Sequence, residues 1–358
     1  MTQQSMKDDV LLEVDDLSVD PKKADPEAAE KPRTLLEVSQ LSKSFPLKHT
    51  VFDAILRRPK QKLTAVDNVS FTLNEGETLG LVGESGCGKS TLARTVINLY
   101  RPTAGRVVFA GTNFSELTKK ELRDRCKDIQ MIFQDPYSSL NPRMTVRQVL
   151  REELLHHKMC PKAEVDKRIS ELLELVGLSE EHAERLPSAF SGGQRQRIGI
   201  ARALAVQPKL IIADEPVSAL DVSIQAQIIN LLIDLQDKLG LSILFISHDL
   251  RVVRYISDRV AVMYLGSMVE TADTEALYDN PRHPYTNVLL AAAPSMEADR
   301  ADEKKAAVPG ELPSPINLPS GCRFHPRCPY CTEVCKQESP ELRDLGGGHM
   351  VACHHPLG

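Results

Sequence analysis

The chain has 358 residues, of which 42% are hydrophobic and 26% are charged, and its formal net charge at pH 7 is −5. This length suits one large α/β domain with an appendage, or two domains. No apolar run approaches the roughly 20 residues that cross a bilayer. The first residues also lack the apolar core of a secretory signal, so we expect a cytosolic protein. The acidic balance argues against nucleic acid as the main partner.

Composition divides the chain into three parts. Residues 1–33 are charged and contain proline, which is typical of a flexible tail. In residues 34–275, short apolar runs alternate with segments of helical period, which predicts an α/β fold around a mainly parallel sheet. A helical insertion is expected at about residues 135–190. Residues 276–358 are rich in Pro, Cys and His with weak periodicity, so they predict a small, irregular, cysteine-rich C-terminal domain.

The periodicity also predicts individual elements along the chain. Val69, Phe71 and Leu73 alternate with polar residues, as in a half-buried strand. Continuous apolar runs predict buried strands, and apolar residues three or four apart predict helices. The expected buried strands are residues 78–82, 210–213 and 241–246. The expected helical stripes are Leu92, Val96 and Leu99; Val165, Ile169, Leu172 and Val176, ended by Gly177; and Ile224, Ile228, Leu231 and Leu235, ended by Gly240.

Residues 83–90 read Gly-Glu-Ser-Gly-Cys-Gly-Lys-Ser and fit the phosphate-binding pattern G-x-x-x-x-G-K-[ST]. Glycines let backbone N–H groups close around phosphate oxygens, and a helix N-terminus adds positive potential. Lys89 is expected to reach the β- and γ-phosphates, and the Ser90 hydroxyl to hold Mg²⁺. The alternative is a glycine-rich turn without a ligand, which the flanking strand and helix disfavour. The predicted nucleotide-binding residues here are Gly83, Glu84, Ser85, Gly86, Cys87, Gly88, Lys89, Ser90 and Thr91.

Asp214 and Glu215 follow the strand predicted at residues 210–213, at the strand end where α/β sheets place their ligands. Asp214 is expected to help hold Mg²⁺. Glu215 is expected to polarise the attacking water as a general base. An acidic pair that only caps a loop is the alternative, and the phosphate loop upstream disfavours it.

A second anion-binding helix start is predicted where a serine and two glycines open a helical segment. Its residues are Ser191, Gly192, Gly193 and Gln194. Two phosphate-binding helix starts in one chain indicate a composite site between two subunits.

The run Ser-Gly-Gly-Gln, the phosphate loop and the acidic pair together resemble the ATP-binding cassette (ABC) ATPases over about residues 35–275. The resemblance implies a P-loop NTPase fold with a RecA-like core, an antiparallel β edge and a helical subdomain. It places Phe45 against adenine, with a core position as the alternative. It also places Gln134 at Mg²⁺ or water, Asp221 in the family's D-loop and His248 at the γ-phosphate. The implied catalytic residues are Glu215, His248 and Gln134, and the implied Mg²⁺ ligands are Ser90, Gln134 and Asp214.

Residues 135–146, 219–227 and 281–286 are similar to the ATPases of oligopeptide and dipeptide importers, and the first segment looks like their second ATPase subunit. The similarity implies a heterodimer with a sister ATPase, two membrane permeases and an external solute-binding protein. It implies a peripheral place on the cytoplasmic face of the inner membrane. Nickel and other solute importers share this subfamily, so the solute stays open. A soluble ABC ATPase acting on nucleic acid or ribosomes is a remote alternative, because such proteins usually carry two cassettes. An inactive regulatory subunit is disfavoured because Glu215 and His248 are both present.

Five of the eight cysteines lie between residues 322 and 353, which in a reducing cytosol indicates metal rather than disulfides. The resemblance implies that Cys322, Cys328, Cys335 and Cys353 hold a [4Fe–4S] cluster, with Cys331 as an extra thiol. Four thiolates also suit Zn²⁺, and unpaired thiols in a loop are a third interpretation.

Cys87 lies inside the phosphate loop, near Lys89 and a helix N-terminus, and both favour a thiolate. We therefore expect alkylation of Cys87 to block the site and ATP to protect it. The alternative is that Cys87 only replaces the serine common in relatives.

Overall fold

The architecture rests on two β-sheets whose strands follow the apolar runs of the sequence. The computed structural model describes residues 33–47, 61–135, 140–292 and 313–358, so the predicted N-terminal tail lies outside the described residues except for Arg33. The described strands are β1 (Thr34–Pro46), β2 (Lys62–Asn74), β3 (Thr78–Val82), β4 (Ala104–Phe109), β5 (Thr112–Asn113), β6 (Ile129–Ile132), β7 (Leu210–Asp214), β8 (Ser242–Ile246), β9 (Arg259–Tyr264), β10 (Ser267–Asp273), β11 (Arg343–Asp344) and β12 (Met350–Val351).

Helices follow most of the parallel strands, and three of the described α-helices begin at a capping box, with Thr118, Thr145 and Ser191 as the N-caps. Within the described ranges, no helix combines the length and the apolar character needed to cross a membrane. The α-helices there are α1 (Lys89–Val96), α2 (Lys119–Arg125), α3 (Val146–His156), α4 (Val165–Leu175), α5 (Gly192–Leu204), α6 (Val222–Leu239), α7 (Leu250–Ile256), α8 (Thr274–Asp279), α9 (Pro284–Ala292) and α10 (Glu333–Gln337).

The larger sheet contains five parallel strands in the order β9-β3-β8-β7-β6, which confirms the predicted parallel core. Strands β3, β7 and β8 are buried along their whole length, as expected where both faces of a sheet are covered. The carboxyl ends of parallel strands lie at one edge of a sheet. The phosphate loop after β3, Gln134 after β6, Asp214 at the end of β7 and His248 after β8 therefore share that edge.

The smaller sheet is antiparallel, in the order β2-β1-β4-β5, and corresponds to the expected antiparallel edge. Val69 and Leu73 of β2 are fully buried and Phe71 is nearly so, which confirms the predicted alternation. These side chains share one hydrophobic core with Leu79 and Leu81 of β3. The opposite face of the parallel sheet packs on helices in a second core.

The described part of the helical insertion that follows β6 includes α3 and α4, which pack on each other and on α5. Ile169 and Leu172 are fully buried, as the predicted stripe requires. Helix α4 ends at Leu175 with Val176 as its C-cap, and Gly177 follows with a left-handed φ of 69°. The predicted glycine cap is therefore confirmed, because this conformation costs glycine little.

The helix after the phosphate loop is shorter than its apolar spacing predicts. Leu92 and Val96 are buried as expected, but α1 ends at Val96. Asn98 then adopts a left-handed φ of 60°, and Leu99 is 59% exposed. The prediction that Leu99 continues the buried stripe is wrong, because a turn at Asn98 directs the chain away from the core before Leu99.

The C-terminal region joins the main sheet rather than standing apart, so the separate cysteine-rich domain expected from sequence is not supported. Strand β12 pairs with β10, with Glu270 opposite Val351 and Thr271 opposite Met350. Phe324 is 1% exposed and packs in the core that also contains the helices. The chain from Thr34 onward forms one compact unit. A boundary near residue 275 stays a prediction.

Leu150 and Leu155 lie on the same helix, α3, with 0% and 36% of their surface exposed. Leu150→Ala leaves a cavity beside α4 and α5, so we expect it to lower the free energy of unfolding by about 3 kcal/mol. Leu155→Ala is the matched control and should change it by less than about 1 kcal/mol. Urea denaturation measures both, and equal losses would contradict this packing.

Candidate nucleotide-binding and hydrolysis site

The phosphate loop leads from β3 into α1 and is tightly enclosed by backbone. Gly88 precedes α1 with a φ of 112°, and Gly83 has a φ of 151°. A Cβ atom at Gly88 would lie 2.1 Å from the carbonyl oxygen of Ala65, and one at Gly83 would lie 2.2 Å from that of Met263. Both positions therefore require glycine in this conformation of the loop.

Lys89 and Ser90, at the start of α1, contact the loop and the acidic strand end. The Lys89 side chain is buried, and its Nζ donates hydrogen bonds to the carbonyl oxygens of Gly83 at 2.7 Å and Glu84 at 3.1 Å. The Ser90 hydroxyl donates to Oδ1 of Asp214 at 2.8 Å. Burial raises the pKa of Asp214, and the hydrogen bond from Ser90 opposes that rise. A hydroxyl and a carboxylate, both oxygen ligands suited to Mg²⁺, are therefore adjacent.

Glu215 is the point at which three predicted catalytic side chains meet. Nε2 of Gln134 donates to Oε2 of Glu215 at 3.0 Å, and Nδ1 of His248 lies 3.4 Å from the same oxygen. Glu215 has a left-handed φ of 49°, and its N–H donates to the carbonyl of Ile246 at the end of β8. Such backbone strain outside glycine is concentrated at functional sites. The structure therefore brings together the residues that follow β6, β7 and β8.

Phe45 lies near the end of β1 and is partly exposed, which differs from the fully buried core position of the alternative interpretation. Its ring packs edge-on against Tyr100, with centroids 5.4 Å apart and planes at 87°. Nζ of Lys43 lies 4.9 Å from the Phe45 centroid. Sequence reasoning missed Tyr100. The one available signal was its position as an aromatic residue shortly after the phosphate-loop helix. The contact of Phe45 with adenine stays a prediction.

The second helix start lies apart from the phosphate loop in the sequence and makes local contacts. Ser191 caps α5: its Oγ accepts from the N–H of Gln194 at 3.3 Å, and Oε1 of Gln194 accepts from the N–H of Ser191 at 3.1 Å. A Cβ atom at Gly193 would lie 2.4 Å from Cγ2 of Ile224 on α6, so glycine allows these helices to approach. Ser191 and the N-cap of α6, Asp221, are both exposed. They are accessible to a second molecule.

Glu84 of the phosphate loop contacts two residues from the C-terminal region, which sequence reasoning missed. Its N–H donates to Oη of Tyr285 at 3.0 Å. Its carboxylate accepts two hydrogen bonds from the guanidinium of Arg327. Residues 281–286, which include Tyr285, were noted only for their similarity to importer ATPases. Arg327 gave no sequence signal for a contact with the loop.

The expectation of a reactive Cys87 thiolate is wrong. The residue is 2% exposed, and burial raises the pKa of its thiol even though the charge of Lys89 opposes the rise. Nζ of Lys89 lies 3.9 Å from Sγ but is directed mainly to two carbonyl oxygens. Sequence proximity identified the cation correctly, but it could not reveal that the thiol is desolvated.

The four cysteines implied as ligands line one small cavity, and Cys331 is not among its lining residues. Burial raises the pKa of Cys322 and of Cys328 to about 11, and the neighbouring cysteines add to the rise. Among the residues that the structure describes, no group of three or more His, Cys, Asp or Glu side chains is arranged to hold a metal ion. The four cysteines therefore lie around one cavity, but the described residues do not show a metal centre there. The lining residues are Cys322, Cys328, Cys335, Cys353, His283, His325, His354, His355, Pro284, Phe324 and Tyr330.

A glycine-bounded phosphate loop, an adjacent serine and aspartate, and a glutamate contacted by glutamine and histidine define a P-loop ATPase site. The comparisons agree. Residues 66–218 match the family described as ABC transporter, and residues 269–335 match the oligopeptide/dipeptide transporter C-terminal region. The oligopeptide transport ATP-binding protein AppF of Bacillus subtilis is 53% identical over 323 residues, which cover 90% of this chain and 97% of AppF.

A second Bacillus subtilis relative, the putative oligopeptide transport ATP-binding protein YkfD, is 51% identical, with coverage of 89% of this chain and 95% of YkfD. The ATP-binding cassette MJ0796, solved as a dimer bound to ADP and Pi, superposes with a TM-score of 0.59 at 29% identity. That match covers 67% of this chain and 99% of MJ0796. The chain therefore belongs to the ABC transporter ATP-binding proteins, in the branch of the oligopeptide transport ATPases.

Reaction of the folded chain with N-ethylmaleimide should modify the exposed Cys126 well before Cys87 at pH 7, because alkylation needs an accessible thiolate. The raised pKa of Cys87 means that its reaction should continue to accelerate with pH beyond the ordinary value of 9.0 instead of levelling off there. Mass spectrometry of the two peptides over time measures both rates. Reaction at Cys87 as fast as at Cys126 at pH 7 would contradict the burial.

Proposed function

We propose that this chain hydrolyses ATP to power the import of di- and oligopeptides as the ATP-binding subunit of an ABC transporter. The observation that carries the catalytic part is the approach of Gln134 and His248 to one oxygen of Glu215, at 3.0 and 3.4 Å. The names of the relatives at 53% and 51% identity support the peptide part. They favour peptides over nickel or another solute, and over action on nucleic acid or ribosomes.

In the proposed binding step, adenine stacks on Phe45 and the triphosphate lies in the phosphate loop. Backbone N–H groups of the loop and of α1 donate to phosphate oxygens. Lys89 exchanges its hydrogen bonds to the carbonyls of Gly83 and Glu84 for contacts with the β- and γ-phosphates. Mg²⁺, when bound, offsets the negative charge of the phosphates. The residues proposed to hold it are Ser90, Gln134 and Asp214.

In the proposed hydrolysis step, Glu215 accepts a proton from the water that attacks the γ-phosphorus. Gln134 orients that water, and His248 contacts the γ-phosphate, where negative charge develops. The new bond joins the water oxygen to phosphorus, and the bond to the bridging oxygen of ADP breaks. The products are ADP and inorganic phosphate. The contacts of Gln134 and His248 with Glu215 keep all three groups at one point.

The site of this chain is proposed to be completed by a sister ATPase, as a heterodimer of two cassettes. Ser191, Gly192, Gly193, Gln194 and Asp221 would contact ATP held in the phosphate loop of the partner. The exposure of Ser191 and Asp221 supports this, since helix starts that bind phosphate in the other subunit must be accessible. ATP binding closes the pair and hydrolysis reopens it.

The remaining partners follow from the same family membership. We propose two integral-membrane permeases, to which the Gln134 segment passes the motion, and an external solute-binding protein that delivers the peptide. The chain itself would be peripheral on the cytoplasmic face of the inner membrane. Affinity purification of the tagged chain from membranes identifies these partners directly.

Glu215→Gln removes the proton acceptor while keeping the shape of the side chain. We expect ATP hydrolysis by the assembled transporter to fall at least about 100-fold, with MgATP affinity retained. Cells that carry the variant should also lose uptake of labelled di- and tripeptides.

The matched control is Glu174→Gln, a change at an exposed position of α4, which should retain both hydrolysis and uptake. A hydrolysis rate near normal in Glu215→Gln would remove Glu215 from the role of base. Unchanged peptide uptake in cells that lack this chain altogether would contradict the proposed solute.

We propose further that Cys322, Cys328, Cys335 and Cys353 hold a [4Fe–4S] cluster. Their position around one cavity, with Cys331 outside it, supports this donor set. A single Zn²⁺ needs its four sulfur atoms within about 2.3 Å of one point. Four thiolates suit an iron–sulfur cluster as well, and the resemblance to the importer ATPases favours the cluster. A bound cluster would cross-link a segment that otherwise has few elements of regular structure.

Cys328→Ser and Cys331→Ser form a matched pair that tests this donor set. Anaerobically purified protein should be brown and contain about four irons per chain. Cys328→Ser should lose colour and iron, because it removes a ligand, whereas Cys331→Ser should keep both. Absorption spectra and metal analysis provide the measurement. Colourless protein with one zinc per chain would replace the cluster with zinc, and metal-free protein would contradict both.

A further inference from the structure

The side chain of Arg327 extends from the cysteine region to the phosphate loop. Arg327 ends the 3₁₀ turn His325–Arg327, directly before Cys328, and its side chain is 6% exposed. Its two terminal nitrogens donate to the two carboxylate oxygens of Glu84, each at 3.0 Å. Nη1 also lies 3.3 Å from Oη of Tyr264. Two parallel hydrogen bonds fix the orientation of both groups more firmly than a single contact would.

A second element holds the same loop residue through its backbone. Tyr285, near the start of α9, is fully buried, and its Oη accepts the N–H of Glu84 at 3.0 Å. The Tyr285 ring packs against Tyr264 and Phe324, with centroids 4.6 and 5.4 Å away. Glu84 is therefore held at both its backbone and its side chain by residues that lie far away in the sequence.

The charge of Glu84 makes this contact relevant to nucleotide binding. Glu84 is the second residue of a loop that is proposed to bind a triphosphate, so an unpaired carboxylate there would repel the ligand. Burial opposes the charge of Arg327, but the hydrogen bonds to Glu84 and Tyr264 outweigh it and raise the pKa of the guanidinium. Arg327 therefore stays charged where it faces the carboxylate of Glu84. The Glu84 carbonyl also accepts from Lys89, so a shift of Glu84 would move that lysine.

We propose that Arg327 is a positioning residue for ATP binding, which neutralises and orients Glu84 so that the phosphate loop is held ready for the triphosphate. The inference rests on the proposed function of that loop. Arg327 acts through Glu84 and does not itself contact the nucleotide. The cysteine region is thereby made part of the nucleotide site without contributing a ligand to it.

The test compares nucleotide affinity in four versions of the full-length chain: unchanged, Arg327→Met, Glu84→Gln and the double variant. The probe is the magnesium complex of a fluorescent N-methylanthraniloyl ATP. Arg327→Met should raise the Kd about tenfold, because Glu84 is left unpaired beside the phosphates. Adding Glu84→Gln to Arg327→Met should bring the Kd back to within about threefold of the unchanged chain, since an amide carries no charge to repel phosphate.

A purely structural role would lower the melting temperature of the nucleotide-free chain together with its affinity, because an unpaired buried charge destabilises the fold. Thermal unfolding of all four versions therefore separates the two roles, since a positioning role changes the Kd at a similar melting temperature. Hydrogen exchange of residues 83–88 without nucleotide provides a second readout, and it should be faster in Arg327→Met. Arg327→Lys covers the case in which the methionine variant does not fold. It keeps the charge but loses the paired geometry, so its Kd should rise less than that of Arg327→Met.

Arg343→Met is the matched control, because Arg343 lies in the same region and donates to the carbonyl of Cys353 rather than to the loop. It should leave the Kd unchanged. An unchanged Kd in both folded Arg327 variants, an equal rise in Arg343→Met, or no recovery in the double variant would each overturn the inference. If the unchanged chain bound no MgATP analogue, the proposed function would fail as well.

Discussion

The parallel pairing of β3, β6, β7 and β8 is the constraint on which the nucleotide site depends. The segment that follows each strand contributes polar residues to the site, and all of these segments leave the sheet at the same edge. Asp214 can therefore accept a hydrogen bond from Ser90 across 124 positions of sequence, and Glu215 can contact Gln134 across 81. The sheet is buried, so its strands are apolar, and its strands are parallel, so the polar residues that follow them meet at one edge.

Local patterns predicted what local sequence controls, including β3, β7, the glycine ends of α4 and α6, and the phosphate loop. They failed where distant parts of the chain decide the outcome. The exposure of Leu99 depends on a turn that the apolar spacing does not encode. The state of Cys87 depends on burial, which outweighs the adjacent lysine. The pairing of β12 with β10 joins segments about eighty residues apart, and weak periodicity gave no sign of it.

The residues of the candidate site fall into two groups: those that contact one another within this chain, and those proposed to act on ATP held by a partner. Ser90 donates to Asp214 within this chain, and Lys89 and Glu215 are their neighbours in the sequence. Ser191 is exposed and bonded only to its own helix in the contacts described. One half of the chemistry is therefore organised by the fold itself. The other half is proposed to require association, which makes hydrolysis conditional on a neighbour.

The pairing of β12 with β10 also determines when a newly synthesised chain can complete its main sheet. Domains tend to fold as their residues emerge during synthesis, from the N-terminal side onward. Here β10 and the phosphate loop are translated well before residues 350–351 and Arg327, which they contact. Until then the outer edge of β10 has no strand to pair with, and unpaired edges invite association with other chains. A nascent copy is therefore most exposed to mispairing in the interval between translation of β10 and of β12.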